Sequence, residues 1–198
     1  MGSLTIHQNY FDIACRNHEK YRRVTQELAA IDQGIDAGEY TRAEKLAATE
    51  GLFAEQQEHL VVSITFYGLC LEAFIYYFGM QEIGSTFLDS EIDKLPLPAK
   101  FLLCVYLSSG KALPKSDHRY ALVKKLSAHR NELVHFKAKP IDDSTNRGQV
   151  ISALIAKLDQ AIDVCEEAVA SAINYIDEVN DTGGHYALSI LRENAQTS

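Results

Sequence analysis

Residues 60 to 80 read LVVSITFYGLCLEAFIYYFGM, 21 positions with one formal charge, at Glu72. A run this long and this apolar exceeds any ordinary strand, so it must be helix, and it must be enclosed. It is long enough to cross a bilayer. However, Ser63, Thr65 and Glu72 punctuate it, and no cluster of Lys or Arg flanks either end. A helix apolar nearly all round belongs equally in the middle of a bundle. The bundle centre is therefore the favoured reading, and a bilayer span is the competing one.

The flanking sequence supplies helices to surround it. From His7 to Ile31, Phe11, Ile13, Cys15, Tyr21, Val24 and Leu28 recur at helical spacing before Gly34 and Gly38 interrupt. The central helix is expected from Thr41, a good N-cap, to Phe78, with Gly79 and Gly84 ending it. A short helix around Thr86 to Lys94 should follow. Pro98 then suits the first turn of a helix through LPLPAKFLLCVYL. Another helix should start at Ser116 or Asp117 and run to Phe136, ahead of a polar loop at Pro140. A last helix is expected from Gln149 to Val179, burying Ile151, Leu154, Ile155, Leu158, Ile162 and Val169. No segment alternates as an amphipathic strand does. The expected fold is all-α: a helical bundle of about four core helices over residues 51–182. A helical arm over residues 1–50 should precede it, and a tail over 183–198 should follow.

Composition agrees with an ordered globule: 46% hydrophobic residues and 4 prolines. With no tryptophan, aromatic burial falls to 10 Tyr and 8 Phe. Cys15, Cys70, Cys104 and Cys165 are scattered and read as small apolar residues, with disulfides or a zinc site as the minority reading. No basic-then-apolar leader opens the chain, which sets the expectation of a cytoplasmic protein with no membrane partner.

A net charge of −8 argues at first against a nucleic-acid partner. The charge is segregated, however. Residues 111–139 hold 8 Lys or Arg against 2 acids, a balance of +6, and the remaining 11 against 25 give −14. Within this basic element lies SAHRNELVHFK, residues 127–137. On a helical wheel of about 100° per residue, Leu122, Leu126, Leu133 and Phe136 share an arc of roughly 80° that should face the bundle. Asn131 and His135 lie opposite, about 40° apart, with Arg130 at the margin. The expected result is a polar patch facing away from the protomer's own core. A chain with this many Arg and His carries an Arg-x4-His pair about one time in four, and Asn after the Arg lowers that to roughly one in a hundred. The triplet, not the pair, is the signal. CRNHEKY has Arg16 and Asn17 without the histidine.

RNELVH resembles the Arg-Asn-x-x-x-His signature of the HEPN superfamily, all-α domains common in prokaryotic toxin–antitoxin and antiviral systems. FYGLCLEAFIYYFG resembles the family's earlier core helix, and KLPLPAKFLLCVYL its leucine-proline-then-lysine segment. The likeness spans about Glu58 to Phe136, with the last helix matching in pattern only and the first fifty residues unmatched. It implies a bundle that dimerises so that two motifs meet in a cleft, and metal-independent endoribonuclease activity without a cofactor. By that resemblance His135 acts as acid or base on the ribose 2′-OH and the leaving oxygen. Arg130 holds the scissile phosphate, and Asn131 orients His135 or the phosphate. The residue types suit these roles, since histidine titrates near neutrality and arginine offers a permanently charged donor fork. RNA, a second copy and an antitoxin or defence-system protein are the partners implied. Some toxins of the family carry a tyrosine two residues after the histidine, where a partner modifies it. Here Phe136 and Lys137 follow, so that regulation does not carry over. The family also includes non-catalytic members that bind or scaffold.

Other residues have competing readings. Glu72 is either a cleft carboxylate bonded to Arg130 or His135, or a structural one met by a tyrosine or lysine. Glu132 is a second supporting acid. Lys124, Lys125 and His118 are candidate phosphate contacts, against solvated charge as the alternative. His129 falls on the apolar stripe as a packed histidine. Tyr76 and Tyr77 are base-stacking candidates, with core packing favoured. His59 and His185 give no usable signal.

Overall fold

The computed structural model describes residues 6–36, 41–134 and 156–181, with backbone alone at residues 35, 36, 42, 45, 46 and 134. The elements are α1 (Ile6–Asp36), α2 (Arg42–Glu82), α3 (Leu97–Ser109), α4 (His118–Val134) and α5 (Ile162–Asn180). A single turn at Ser85–Phe87 and a π-helical turn at Leu88–Ile92 join α2 to α3. Among the described residues there is no strand, so the chain is an all-α bundle. His135, His185, the loop around Pro140 and the expected tail lie outside the described residues.

Thr41 caps α2 as expected. Its hydroxyl accepts from the Glu44 amide, while the Glu44 carboxylate accepts from the Thr41 amide at 2.8 Å, a reciprocal capping box. Such closure fixes the start of a helix of 41 residues, about 60 Å long at 1.5 Å per residue. Along it Leu60, Ile64, Tyr67, Cys70, Leu71, Phe74, Ile75 and Phe78 are buried. Ala47–Glu82 is long and apolar enough to cross a membrane by length and composition, and half of its most apolar window is buried inside the bundle.

The sequence expectation for the end of α2 fails at Gly79. The helix passes through it, and a Cβ there would lie 2.7 Å from Leu88 Cδ1 and 3.3 Å from Cys104 Sγ. The glycine serves close packing of the connector and α3 rather than termination. The helix ends instead at Ile83, before Gly84 at φ 100°. Pro98 does open α3 in its first turn, and Gly110, left-handed at φ 69°, closes it.

The first helix runs on through Gly34, where an interruption is expected, to Asp36. It lies along α2, and Phe11, Ala14 and Tyr21 join the core that α2, α3, α4 and α5 share. The last helix is not continuous over its described part. A turn at Gln160–Ala161, tightened by the Ala161 amide donating to the Leu158 carbonyl at 3.0 Å, precedes α5. Cys70, Cys104 and Cys165 are fully buried free thiols. Burial pushes the Cys104 thiol up to about 11 and the Cys165 thiol up to about 12. Both therefore act as apolar packing groups.

Candidate functional site

The motif helix does not face the bundle as its leucines alone suggest. On α4 the buried residues are Leu122, Val123, Leu126 and Ser127, while Leu133 is only half-buried. The buried arc is thus displaced toward Val123, and Arg130 falls inside it, about 20° from Val123 and about 40° from Leu126 on the wheel. Arg130 is therefore directed inward, not at the margin of an outward patch. Asn131 is exposed, as expected, in one file with the exposed Lys124 and Ala128.

Gly68 makes the inward placement of Arg130 possible. A Cβ at Gly68 would lie 2.8 Å from Arg130 Cδ and 3.1 Å from its Cγ. The arginine stem therefore crosses α2 where no side chain stands. One turn further along the same face, Glu72 Oε2 receives Arg130 Nη1 at 3.0 Å. The other oxygen, Oε1, is 3.2 Å from Lys100 Nζ, and Lys100 Nζ is in turn 3.0 Å from Asp93 Oδ1. Asp93, Lys100, Glu72 and Arg130 thus form an alternating chain of charges that ties the connector, α3, α2 and α4 together. Its members differ in access: the side chain of Lys100 is 8% exposed, that of Arg130 23% and that of Glu72 31%. Arg130 Nε is buried without a hydrogen-bond partner among the described residues.

Glu72 has both Lys100 and Arg130 as partners, so it makes a contact named in each of its two readings. Lys100 and Asp93 were missed. A signal for Lys100 was present, since Leu97, Lys100, Phe101, Cys104 and Val105 are the buried stripe of α3. A lysine at a core position has to find carboxylates.

Glu72 and Asp93 also line an open groove of about 420 Å³ with Ile6, Tyr10, Tyr76 and Met80. Tyr76 is 37% exposed there, and its hydroxyl donates to Asp89 at 2.7 Å, which holds its pKa above the ordinary value. Tyr77 lines the same groove and packs beside His7, ring centres 5.5 Å apart.

The remaining candidates point elsewhere. Glu132 accepts Lys157 Nζ at 2.8 and 2.7 Å, fastening α4 to the helical segment ahead of the turn before α5. His118, 72% exposed, lies 3.3 Å from Glu167 on α5. Lys124 and Lys125 are both exposed, but Lys125 lies on the His129 side of the helix. His129 is half-buried, and its pKa is lowered by burial and then by Lys157 and Lys125. Arg119, another cation of the basic element, is held by Asp117 at 2.7 Å and lies 3.8 Å above the Tyr175 ring. The Asn17 of the second Arg-Asn pair lies with its Oδ1 2.9 Å from His59 Nδ1, so His59 has a packing role. Among the described residues, no group of three His, Cys, Asp or Glu is placed to hold a metal ion. No protein-family model, curated protein or solved structure matches the chain.

Proposed function

We infer that the chain is a metal-independent endoribonuclease of the HEPN type, acting as a homodimer in a toxin or antiviral setting. The observation carrying this reading is the support of Arg130. Its stem lies over Gly68 and its guanidinium is met by Glu72 at 3.0 Å, five residues before His135 in the sequence. An arginine whose stem is laid down this way loses little conformational freedom when its head turns from Glu72 to a phosphate, and its planar fork suits two phosphate oxygens. In the proposed reaction His135 takes the 2′-OH proton as that oxygen bonds to phosphorus. The P–O5′ bond breaks, and the departing oxygen takes a proton from a histidine. The products are a 2′,3′-cyclic phosphate and a 5′-hydroxyl. Arg130 balances the charge that develops on the phosphorus-bound oxygens, and Asn131 orients the reacting groups.

Two copies meeting across the exposed Lys124–Asn131 file would close a cleft that one convex helix cannot. Sedimentation at micromolar concentration should give twice the chain mass, and a monomer with and without RNA would rule out a shared cleft. The function itself is tested by incubating mixed RNA with the protein in excess chelator. Cleavage should persist, and His135→Ala should abolish it at an unchanged melting temperature. Full activity in His135→Ala would overturn the assignment.

A second reading, a non-catalytic helical dimer that binds RNA or a protein, draws on one observation. Glu72 already neutralises Arg130, as in a purely structural ion network. An Arg130→Lys variant separates the two, since lysine preserves the ion pair but not the fork.

A further inference from the structure

Glu72 is shared between two cations, and the sharing has a consequence for any anion that approaches Arg130. For Arg130 to turn toward a phosphate it must leave Glu72, and a half-buried carboxylate stripped of its only partner would resist that exchange. Here the carboxylate is not stripped. Lys100 Nζ remains 3.2 Å from Glu72 Oε1, and its own second partner, Asp93, remains 3.0 Å away. Lys100 itself is buried and does not reach solvent to bind RNA. Arg130, Glu72 and Asp93 reach solvent, at 23%, 31% and 55% exposure; Glu72 and Asp93 border the open groove, and Arg130 is the accessible cation among these groups.

We propose that Lys100 is a positioning residue that acts through Glu72: as a reserve counter-ion, it lets Glu72 release Arg130 to a phosphodiester oxyanion. This rests on the phosphate-binding role read for Arg130. Glu72 then acts as an internal competitor that occupies the arginine until a phosphate displaces it, and Lys100 sets how strongly it competes.

The test is binding of a mixed-sequence, fully 2′-O-methylated RNA oligonucleotide, which has no free 2′-OH and so reports affinity without cleavage. Arg130→Ala should weaken binding, establishing the contact. Glu72→Gln, which removes the competitor, should bind about fivefold tighter than the unaltered protein. Lys100→Met, which leaves Glu72 dependent on Arg130 alone, should bind about fivefold weaker, and Lys100→Arg should restore the original affinity. Simple charge effects at two sites would give the same signs, so the double variant decides. If Lys100 acts through Glu72, Glu72→Gln with Lys100→Met binds as tightly as Glu72→Gln alone, because no carboxylate is left to compete. Return of the double variant to the original affinity would mean independent charge effects and would overturn the proposal, as would Glu72→Gln binding no tighter. Should Lys100→Met fail to fold, Lys100→Gln takes its place, alone and combined with Glu72→Gln, and the same comparison decides. The unmethylated oligonucleotide tests the enzyme separately: no cleavage with the non-additive pattern intact retires the nuclease and keeps the counter-ion, and cleavage with additive affinities does the reverse.

Discussion

At Tyr67 and again at Glu72, α2 meets charged groups from other helices, and the two meeting points are built in opposite ways. Around Tyr67, one histidine is surrounded by acceptors. His18 Nδ1 lies 3.1 Å from the Tyr67 hydroxyl and 3.2 Å from Glu166, and Nε2 lies 3.3 Å from Asp163, which Arg22 also holds at 2.8 Å. Around Glu72, one carboxylate is surrounded by cations. The first cluster closes over its centre: His18 is 3% exposed and Tyr67 is fully buried, so no ligand reaches either. The second leaves its central carboxylate and its arginine partly open and hides only the lysine behind them. Enclosure suits a group that fastens α1, α2 and α5, while partial exposure suits a group that exchanges partners.

The largest effect that separates them is on stability. Tyr67→Ala removes a buried ring that packs against Phe11 and His18, and should cost about 3–5 kcal/mol in urea denaturation. Cleavage per folded molecule should be unchanged, and a small loss of stability would remove the basis for calling this cluster structural. Gly68→Ala should do the opposite. Its Cβ would displace the Arg130 stem and so remove RNA cleavage. Stability should change by less than about 1 kcal/mol, because alanine's helix propensity offsets much of the strain. Retained cleavage would show that Arg130 need not lie across α2.

A smaller effect is expected within the basic element. Lys124 shares the exposed file with Asn131, and Lys125 does not. Lys124→Glu should therefore weaken RNA binding and flatten its salt dependence more than Lys125→Glu, as read from affinities at several salt concentrations. Equal losses would mean that the face of α4 is immaterial. The smallest effect concerns His7, which burial pushes down from 6.5 to about 4. The unfolded chain binds its proton near 6.5 and the folded chain only near 4. This contribution to stability is complete above the upper value and declines as pH falls toward the lower, by at most about one proton. His7→Phe should flatten the melting temperature over that window, and an unaltered slope would exclude His7 as its source.

Much of this arrangement is legible along the chain because it follows local rules. Helical periods, the Thr41–Glu44 box and the Pro98 start each depend on residues within one or two turns. Glu72 stood out because a charge inside an apolar run requires a partner. What the periods do not carry is which helix stands opposite. Val123 and Ser127 draw Arg130 inward, and the gap it fills is a missing side chain at Gly68, distant in sequence. Gly79 reads as a terminator for the same reason, since Leu88 and Cys104, which require it, belong to other elements. Lys100 stands on the buried stripe of α3, and the carboxylates that meet it, Glu72 and Asp93, belong to other elements.

Arg130→Lys tests the central claim most directly, by its initial rate on mixed RNA in excess EDTA. The variant keeps a cation opposite Glu72, so the melting temperature should stay within a few degrees, about the effect of 1 kcal/mol. The rate should nevertheless fall by about 100-fold or more, because a point charge replaces a two-pronged donor at the phosphate. A variant that cleaves RNA as fast as the unaltered protein would reduce Arg130 to a member of a structural ion network and contradict the account.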